Sequence, residues 1–390
     1  MAALAATAPV FVLNDSEGKN CMSKARFGVG IIGLQPNRSW ASVAHIPALR
    51  ALSDSFDIVG VANTKKESAE KAAAAYNIPR AFADTAELAA DPAVDIVAIT
   101  VKVPYHLELA KIAFNAGKHI YCEWPLGNGL AEAQEMARLA KQKGLLGVCG
   151  TQAQASPEIE YAAKLVKDGY VGKVLSTTIV GRGRGWGDNV PLKVTAYVLD
   201  RKFGATMLTI PVGHTLAALR DVLGNVAELS AVLANRRTSA KVLETGEMLP
   251  MTSHDQVLFS GVMESGAPIS LHFRGGDARD GNGFYWQING TEGDLQLTGS
   301  SGHTQQMQLL LKGGRGDEKD MKPIEVPASY RQGGPENLMV GNVARLYGRM
   351  AADLRNGTHT APTFDDAVEV HKVIDAIEKS VETGTRVKVR

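Results

Sequence analysis

Two hydropathy patterns divide the chain. From Phe27 to Gly150, short apolar runs alternate with stretches whose apolar residues recur at helical spacing. The short apolar run Val29, Ile31 and Ile32 ahead of Gly33, FDIVGVA at Phe56–Ala62, DIVAITV at Asp95–Val101, HIYC at His119–Cys122 and LLGVC at Leu145–Cys149 read as buried strands. Lys65 to Tyr76, a segment opening at Pro104-Tyr105-His106, and Leu130 to Lys143 read as the helices between them. Strands alternating with helices of about ten or more residues predict an α/β fold with a doubly wound parallel sheet covered on both faces, closing near Gly150. From Val174 the pattern becomes strand-rich: VLSTTIVG, VAELSAVLA, DQVLFSGVM, PISLHFRGG, FYWQINGTEGDLQLTG and QMQLLLKG alternate apolar and polar residues between glycine turns. This predicts a second α/β domain built on a large open, mainly antiparallel sheet, with one face packed and the other free for a ligand or another subunit. Helical spacing returns at Leu208–Leu223, Asn342–Arg355 and Phe364–Thr383, the last expected to dock back on the first domain. The resulting division is a flexible tail over residues 1–24, a first domain over 25–150 and a second over 151–390.

The segment Phe27–Leu49, a strand, a tight turn and a helix ahead of a second strand, reads as the first β-α-β unit of a Rossmann dinucleotide-binding domain. Phosphates bind at such a helix N-terminus. The glycine fingerprint is incomplete, because Gln35 stands two residues after Gly33 and Pro36-Asn37-Arg38 lengthens the turn. Gly33, Leu34, Gln35, Arg38 and Trp40 are its candidate cofactor contacts, with backbone amides between Pro36 and Trp40 expected at the pyrophosphate. After the second strand an NAD site places a carboxylate on the ribose, but here Asn63, Thr64, Lys65 and Lys66 follow. Two ammonium groups attract a 2′-phosphate, which favours NADP(H) over NAD(H); the alternative is that both lysines simply face solvent. Thr100, Val101, Glu123, Trp124 and Pro125 fall at carboxyl ends of strands, where doubly wound folds bind ligands.

Composition narrows the class. At 390 residues the chain has room for two cores, and a net charge of +1 gives no basic footprint for nucleic acid and no acidic tail. Cys21, Cys122 and Cys149 form no C-x-x-C pair and no metal-ligand spacing, and reduced buried thiols suit a cytoplasmic protein. No apolar run approaches the roughly 18 residues of a membrane helix. The first residues lack a basic region ahead of their apolar part, so a tail is expected rather than a signal peptide, with Met22 as an alternative start.

GIIG, AITVKVPYHLELAKIAFNAGKHIYCEWPL and VGHTLAAL, in this order, resemble the glucose-fructose oxidoreductase, inositol dehydrogenase and rhizopine catabolism (Gfo/Idh/MocA) family from about Phe27 to the end. Trp40-Ala41, His45, Pro47-Ala48, Glu123-Trp124, Gly213-His214-Thr215, Phe273-Arg274-Gly275-Gly276, Gly290 to Leu295 and Gly341-Asn342 ahead of Arg345-Leu346-Tyr347 are most similar to the branch of the fungal galactose-pathway repressor. The resemblance implies an NADP-binding protein that pairs through its open sheet as a homodimer or dimer of dimers. It implies either an oxidoreductase acting on a sugar, polyol or related carbonyl or imine compound, or a non-catalytic sensor with a protein partner. Two departures bear on that choice. The family's Glu-Lys-Pro is Glu123-Trp124-Pro125, and an indole neither takes nor gives a proton near neutral pH. The family's aspartate four residues before the histidine is Ile210, so a carboxylate for His214 would have to come from elsewhere, such as Asp200 or Asp221.

The resemblance makes His214 the candidate proton shuttle, a task its ordinary pKa suits. Lys193 and Tyr197 are candidate replacements for the absent lysine. Glu123 is expected on the nicotinamide ribose. Trp124 either stacks on the nicotinamide or a substrate ring or packs the domain interface, and His106 either lies beneath the cofactor or braces backbone. Arg182, Arg184 and Trp186, in GRGRGWGD, offer two cations and a ring to a carboxylate, phosphate or polyhydroxylated substrate, or form a solvent-facing turn.

Overall fold

The computed structural model describes residues 24–390; Cys21, Met22 and nearly all of the expected tail lie outside the described residues. Strands β1 (Phe27–Ile32), β2 (Phe56–Ala62), β3 (Arg80–Phe82), β4 (Ile96–Ile99), β5 (His119–Glu123) and β6 (Gly147–Gly150) form a six-stranded parallel sheet in the order β3-β2-β1-β4-β5-β6. This is the Rossmann order, with its crevice at the carboxyl ends of β1 and β4. Helices α1 (Ile46–Ala51), α2 (Lys66–Ala75), α3 (Thr85–Ala90), α4 (His106–Asn115) and α5 (Leu130–Lys143) make the crossovers. Every residue of β1 and β4 is buried, as expected for strands covered on both faces.

After α6 (Pro157–Lys167) come β7 (Val174–Gly183), β8 (Asn189–Val190), α7 (Gly213–Leu223), β9 (Val226–Ala234), β10 (Ser239–Val242), β11 (Met248–Pro250), β12 (Gln256–Met263), β13 (Pro268–Gly275), β14 (Phe284–Gly290), β15 (Gly293–Gly299), β16 (Leu310–Arg315), β17 (Lys322–Pro323), α8 (Leu338–Asn356), α9 (Phe364–Thr383) and β18 (Val387–Lys388). Nine of these strands form one sheet, β17-β16-β15-β14-β7-β13-β12-β9-β18, antiparallel except where β7 meets β13. Alternation decides its two faces. Thr177, Ile179, Phe259, Leu271, Phe273, Trp286 and Leu297 are buried, while Ser230, Ser260, Ser270, Thr178 and Gln287, facing one another across five strands, lie on the open side. The short strands β8, β10 and β11 form a separate three-stranded flap.

The two C-terminal helices return to the first sheet. Val343, Leu346, Tyr347 and Met350 of α8 share a core with Val29, Ile31 and Ile46. Phe364, Val370, Ile374 and Ile377 of α9 share the other core with Ile99, Leu126 and Met136 and with Leu229 and Phe259 of the second sheet. Between the helices the chain runs along the edge of β6, where the Cys149 amide donates to the Pro362 carbonyl at 2.8 Å. Cys122 and Cys149 sit opposite each other on β5 and β6 as buried free thiols. Among the described residues no helix is long and apolar enough to cross a membrane.

Candidate functional site

The turn after β1 is built by glycine and asparagine. Gly33 has φ +97°, and a Cβ there would stand 2.5 Å from Val101 Cγ1, so the turn rides against the end of β4 only as glycine. The Thr100 hydroxyl donates to the Ile32 carbonyl at 2.7 Å, tying those two strand ends. Asn63 accepts from the Leu34 amide at 3.0 Å and donates to the Leu34 carbonyl at 2.9 Å, so its side chain holds the turn instead of reaching for ribose. The expected amide cradle is largely self-satisfied: the Asn37 amide donates to the Tyr76 hydroxyl, and those of Arg38 and Ser39 to the Gln35 carbonyl. The Gln35 amide donates to Ser39 Oγ at 2.9 Å. Arg38 points to the flap, its guanidinium 3.5 Å from Glu244. The indole Nε1 of Trp40 is buried without a partner, and the ammonium groups of Lys65 and Lys66 at the start of α2 are exposed to a ligand. Among the described residues neither lysine has an ion-pair partner.

Beyond β5, Glu123 and Trp124 point opposite ways. Glu123 Oε1 accepts from His45 Nε2 at 2.9 Å, and the Gln152 amide donates to both carboxylate oxygens at 2.8 and 2.9 Å. Trp124 turns into the core. It is 5% exposed, its Nε1 donates to the Thr209 carbonyl at 2.6 Å, and its ring lies 4.7 Å from that of His371. Gly213 fits beneath it because a Cβ there would be 2.6 Å from the indole. The indole thus packs α7 against α9 and shows almost no surface to a cofactor or substrate. Pro125 is buried beside it, and its carbonyl faces His106 Nδ1 at 3.0 Å. His106 Nε2 meets the Val101 carbonyl at 3.0 Å, so the ring braces the β4 and β5 loops, and burial lowers its pKa.

His214, second residue of α7, is 3% exposed, and its Nδ1 has no hydrogen-bond partner among the described residues. Burial, with His303 nearby, pushes its pKa down to about 3. Neither suggested carboxylate serves it: Asp200 accepts from the Lys202 amide at 3.1 Å, and Asp221 from Gln154 at 2.9 Å. His303, which the sequence reading missed, stacks on Trp186 at 6.0 Å, and burial takes its pKa to about 4. Thr304 Oγ1 and Gln305 Oε1 on the same loop are likewise buried without partners. The only hint in the sequence was a histidine in a polar glycine loop, SSGHTQQ. His214 and the loop at 303–305 therefore form a buried polar neighbourhood short of hydrogen-bond partners.

Other candidates disperse. Lys193 is on the flap approach, its ammonium tied to Glu247. Tyr197 is half-buried under the Lys102 ammonium, 4.8 Å from the ring centroid, and burial raises its pKa. Arg184 pairs with Asp277 at 3.3 Å in solvent. Trp186 is buried, with its Nε1 donating to the Val198 carbonyl at 3.0 Å. Arg182 lies on β7 opposite Arg274 of β13, where burial and that second guanidinium lower its pKa. The GRGRGWGD segment thus sends its three side chains to three places.

Comparison with known proteins agrees with this architecture. Residues 27–151 match the model of the oxidoreductase family with an NAD-binding Rossmann fold, GFO_IDH_MocA, and residues 157–299 match that of the Gal80p C-terminal domain. The galactose/lactose metabolism regulatory protein GAL80 of Saccharomyces cerevisiae is 25% identical over 93% of this chain and 94% of its own length. The dehydrogenase aclE of Aspergillus oryzae is 29% identical over 93% of this chain and 98% of its own. The crystal structure of a super-repressor mutant of S. cerevisiae Gal80p superposes with a TM-score of 0.84 at 26% identity, covering 94% of this chain and 98% of that one. The first domain thus matches the Gfo/Idh/MocA oxidoreductase family over residues 27–151, the second matches the Gal80p C-terminal domain over residues 157–299, and the chain as a whole resembles the Gal80 proteins.

Proposed function

We propose that the protein is an NADP(H)-dependent oxidoreductase acting on a hydroxyl or carbonyl group of a sugar, polyol or related small compound, including imines. The observation that carries this reading is the buried, unpartnered Nδ1 of His214, beside His303 and the orphaned polar atoms of Thr304 and Gln305. A carbinol hydroxyl satisfies such a group, and an apolar ligand does not. The crevice residues fit a dinucleotide: the turn at Gly33 leaves no room for a side chain, the Trp40 indole offers an unused donor, and Lys65 and Lys66 offer two unpaired cations where a 2′-phosphate would lie. Thr100, Val101 and Glu123 border the same crevice. When bound, the nicotinamide supplies the hydride chemistry. His214 Nδ1 holds the substrate hydroxyl and receives its proton. NAD(H) is the poorer fit because Asn63, not a carboxylate, stands at the end of β2. The open face of the nine-stranded sheet is the proposed homodimer surface.

A specific observation favours a second reading, a non-catalytic NADP-binding regulator with a protein partner. An imidazole titrating at about 3, without a carboxylate, is a weak base at neutral pH, and the position beside Glu123 holds a buried indole. The deciding experiment measures NADPH binding by fluorescence, then screens NADP+ reduction and NADPH oxidation over sugars, polyols, ketones and imines. Turnover that falls in His214→Ala supports the enzyme. Tight cofactor binding with no turnover on any compound removes it in favour of the regulator.

A further inference from the structure

Behind Glu123 the molecule holds a chain of buried groups for which the reading above has no use. His45 and Tyr347 are fully buried and Gln152 is 1% exposed. The Tyr347 hydroxyl, on α8, is 2.9 Å from His45 Nδ1, and His45 Nε2 is 2.9 Å from Glu123 Oε1. One neutral tautomer satisfies every member: the tyrosine O–H donates to Nδ1, and Nε2–H donates to the carboxylate. The histidine ring has no freedom to turn, since it meets Tyr121 and Tyr347 edge-on at 5.2 and 5.7 Å, and those two tyrosines stack at 4.4 Å. His45 ends the π-helical turn Ala41–His45 that follows the Gly33–Trp40 loop, so the same element carries the loop and the brace.

We propose that Tyr347 and His45 are positioning residues that hold the Glu123 carboxylate toward the crevice for a ribose hydroxyl of the bound dinucleotide, making α8 part of the cofactor site without touching the cofactor. The inference rests on the dinucleotide reading above. A carboxylate has about four acceptor positions. His45 and Gln152 occupy Oε1 twice and Oε2 once, leaving one on Oε2 of a side chain that is 15% exposed. An acceptor fixed beforehand binds a hydroxyl without the entropy of ordering a free glutamate.

Tyr347→Phe removes only the hydroxyl and keeps the stack on Tyr121. NADPH and adenosine 2′,5′-bisphosphate, which lacks the nicotinamide ribose, are titrated against wild type, Tyr347→Phe, Glu123→Gln and the double variant. NADPH binding to Tyr347→Phe is expected to weaken about tenfold. Bisphosphate binding stays at the wild-type value, and the double variant binds NADPH no more weakly than Glu123→Gln alone. Equal losses for both ligands, no loss for NADPH, or additive losses in the double variant overturn the proposal while the dinucleotide reading stands. A wild-type protein that binds neither ligand removes both. Should Tyr347→Phe fail to fold, His45→Gln takes its place in the same cycle.

Discussion

His371 makes a prediction whose size follows from where it sits. It is 1% exposed on α9, its ring is 4.7 Å from the Trp124 indole, and both its nitrogens are without partners. Burial pushes its pKa from 6.5 to about 3. The unfolded chain takes up this proton below about pH 6.5 and the native protein does not, so stability must fall as the pH drops through that window. Between about pH 8 and pH 5 the unfolded state gains RT ln(1 + 10^1.5), about 2 kcal/mol, and the figure hardly changes if the native value is as high as about 4. His371→Phe keeps an aromatic ring against Trp124 and removes the titration. Any packing cost is the same at both pH values and cancels. Urea unfolding followed by tryptophan fluorescence, with a dye-based thermal melt as a second probe, gives stability at each pH for both proteins. The variant still loses stability toward acid, because His214 and His303 titrate low as well, but it loses about 2 kcal/mol less than wild type. Equal losses in the two proteins would refute the argument and mean that His371 is solvated or protonated in the native state.

Two further outcomes are expected. Replacing Lys65 and Lys66 together by alanine weakens NADPH binding about tenfold and NADH binding less than about twofold, read by fluorescence titration; equal weakening would show that the lysines do not read a 2′-phosphate. Gly213→Ala places a Cβ 2.6 Å from an indole that is pinned at Thr209, so it destabilises by about 1–3 kcal/mol, and an unchanged urea midpoint would show that the indole yields freely.

The parallel sheet and most of the second sheet were legible because periodicity reports burial. Leu130–Lys143 and Phe364–Thr383 match the predicted helices end to end, each closed by a left-handed glycine, Gly144 and Gly384. FYWQINGTEGDLQLTG, read as one pattern, is the hairpin β14–β15, with the turn at Thr291-Glu292. The amide cradle expected between Pro36 and Trp40 was not legible as self-satisfied, since its closure depends on Ser39 and on Tyr76, which lies at the far end of α2. Nor was the His214–His303 neighbourhood, which joins residues far apart in sequence through a loop that has no period.

The Glu-Trp-Pro corner shows why a motif letter alone left the site ambiguous. At the end of a strand, neighbouring side chains face opposite sides, so positions 123 and 124 answer to different surroundings. The Glu123 carboxylate, 15% exposed, stays tied to His45 and Gln152. A lysine at 124 would have to bring an ammonium group out of the space where Trp124 meets Gly213 and His371. The indole instead spends its one donor on Thr209 and joins α7 to α9, which trades a proton carrier for a fixed interface. His371 can remain neutral and unpartnered there only because no charge stands beside it. A lysine in that place would face a buried imidazole without any carboxylate to offset it, so the tryptophan and the depressed histidine belong to one packing solution.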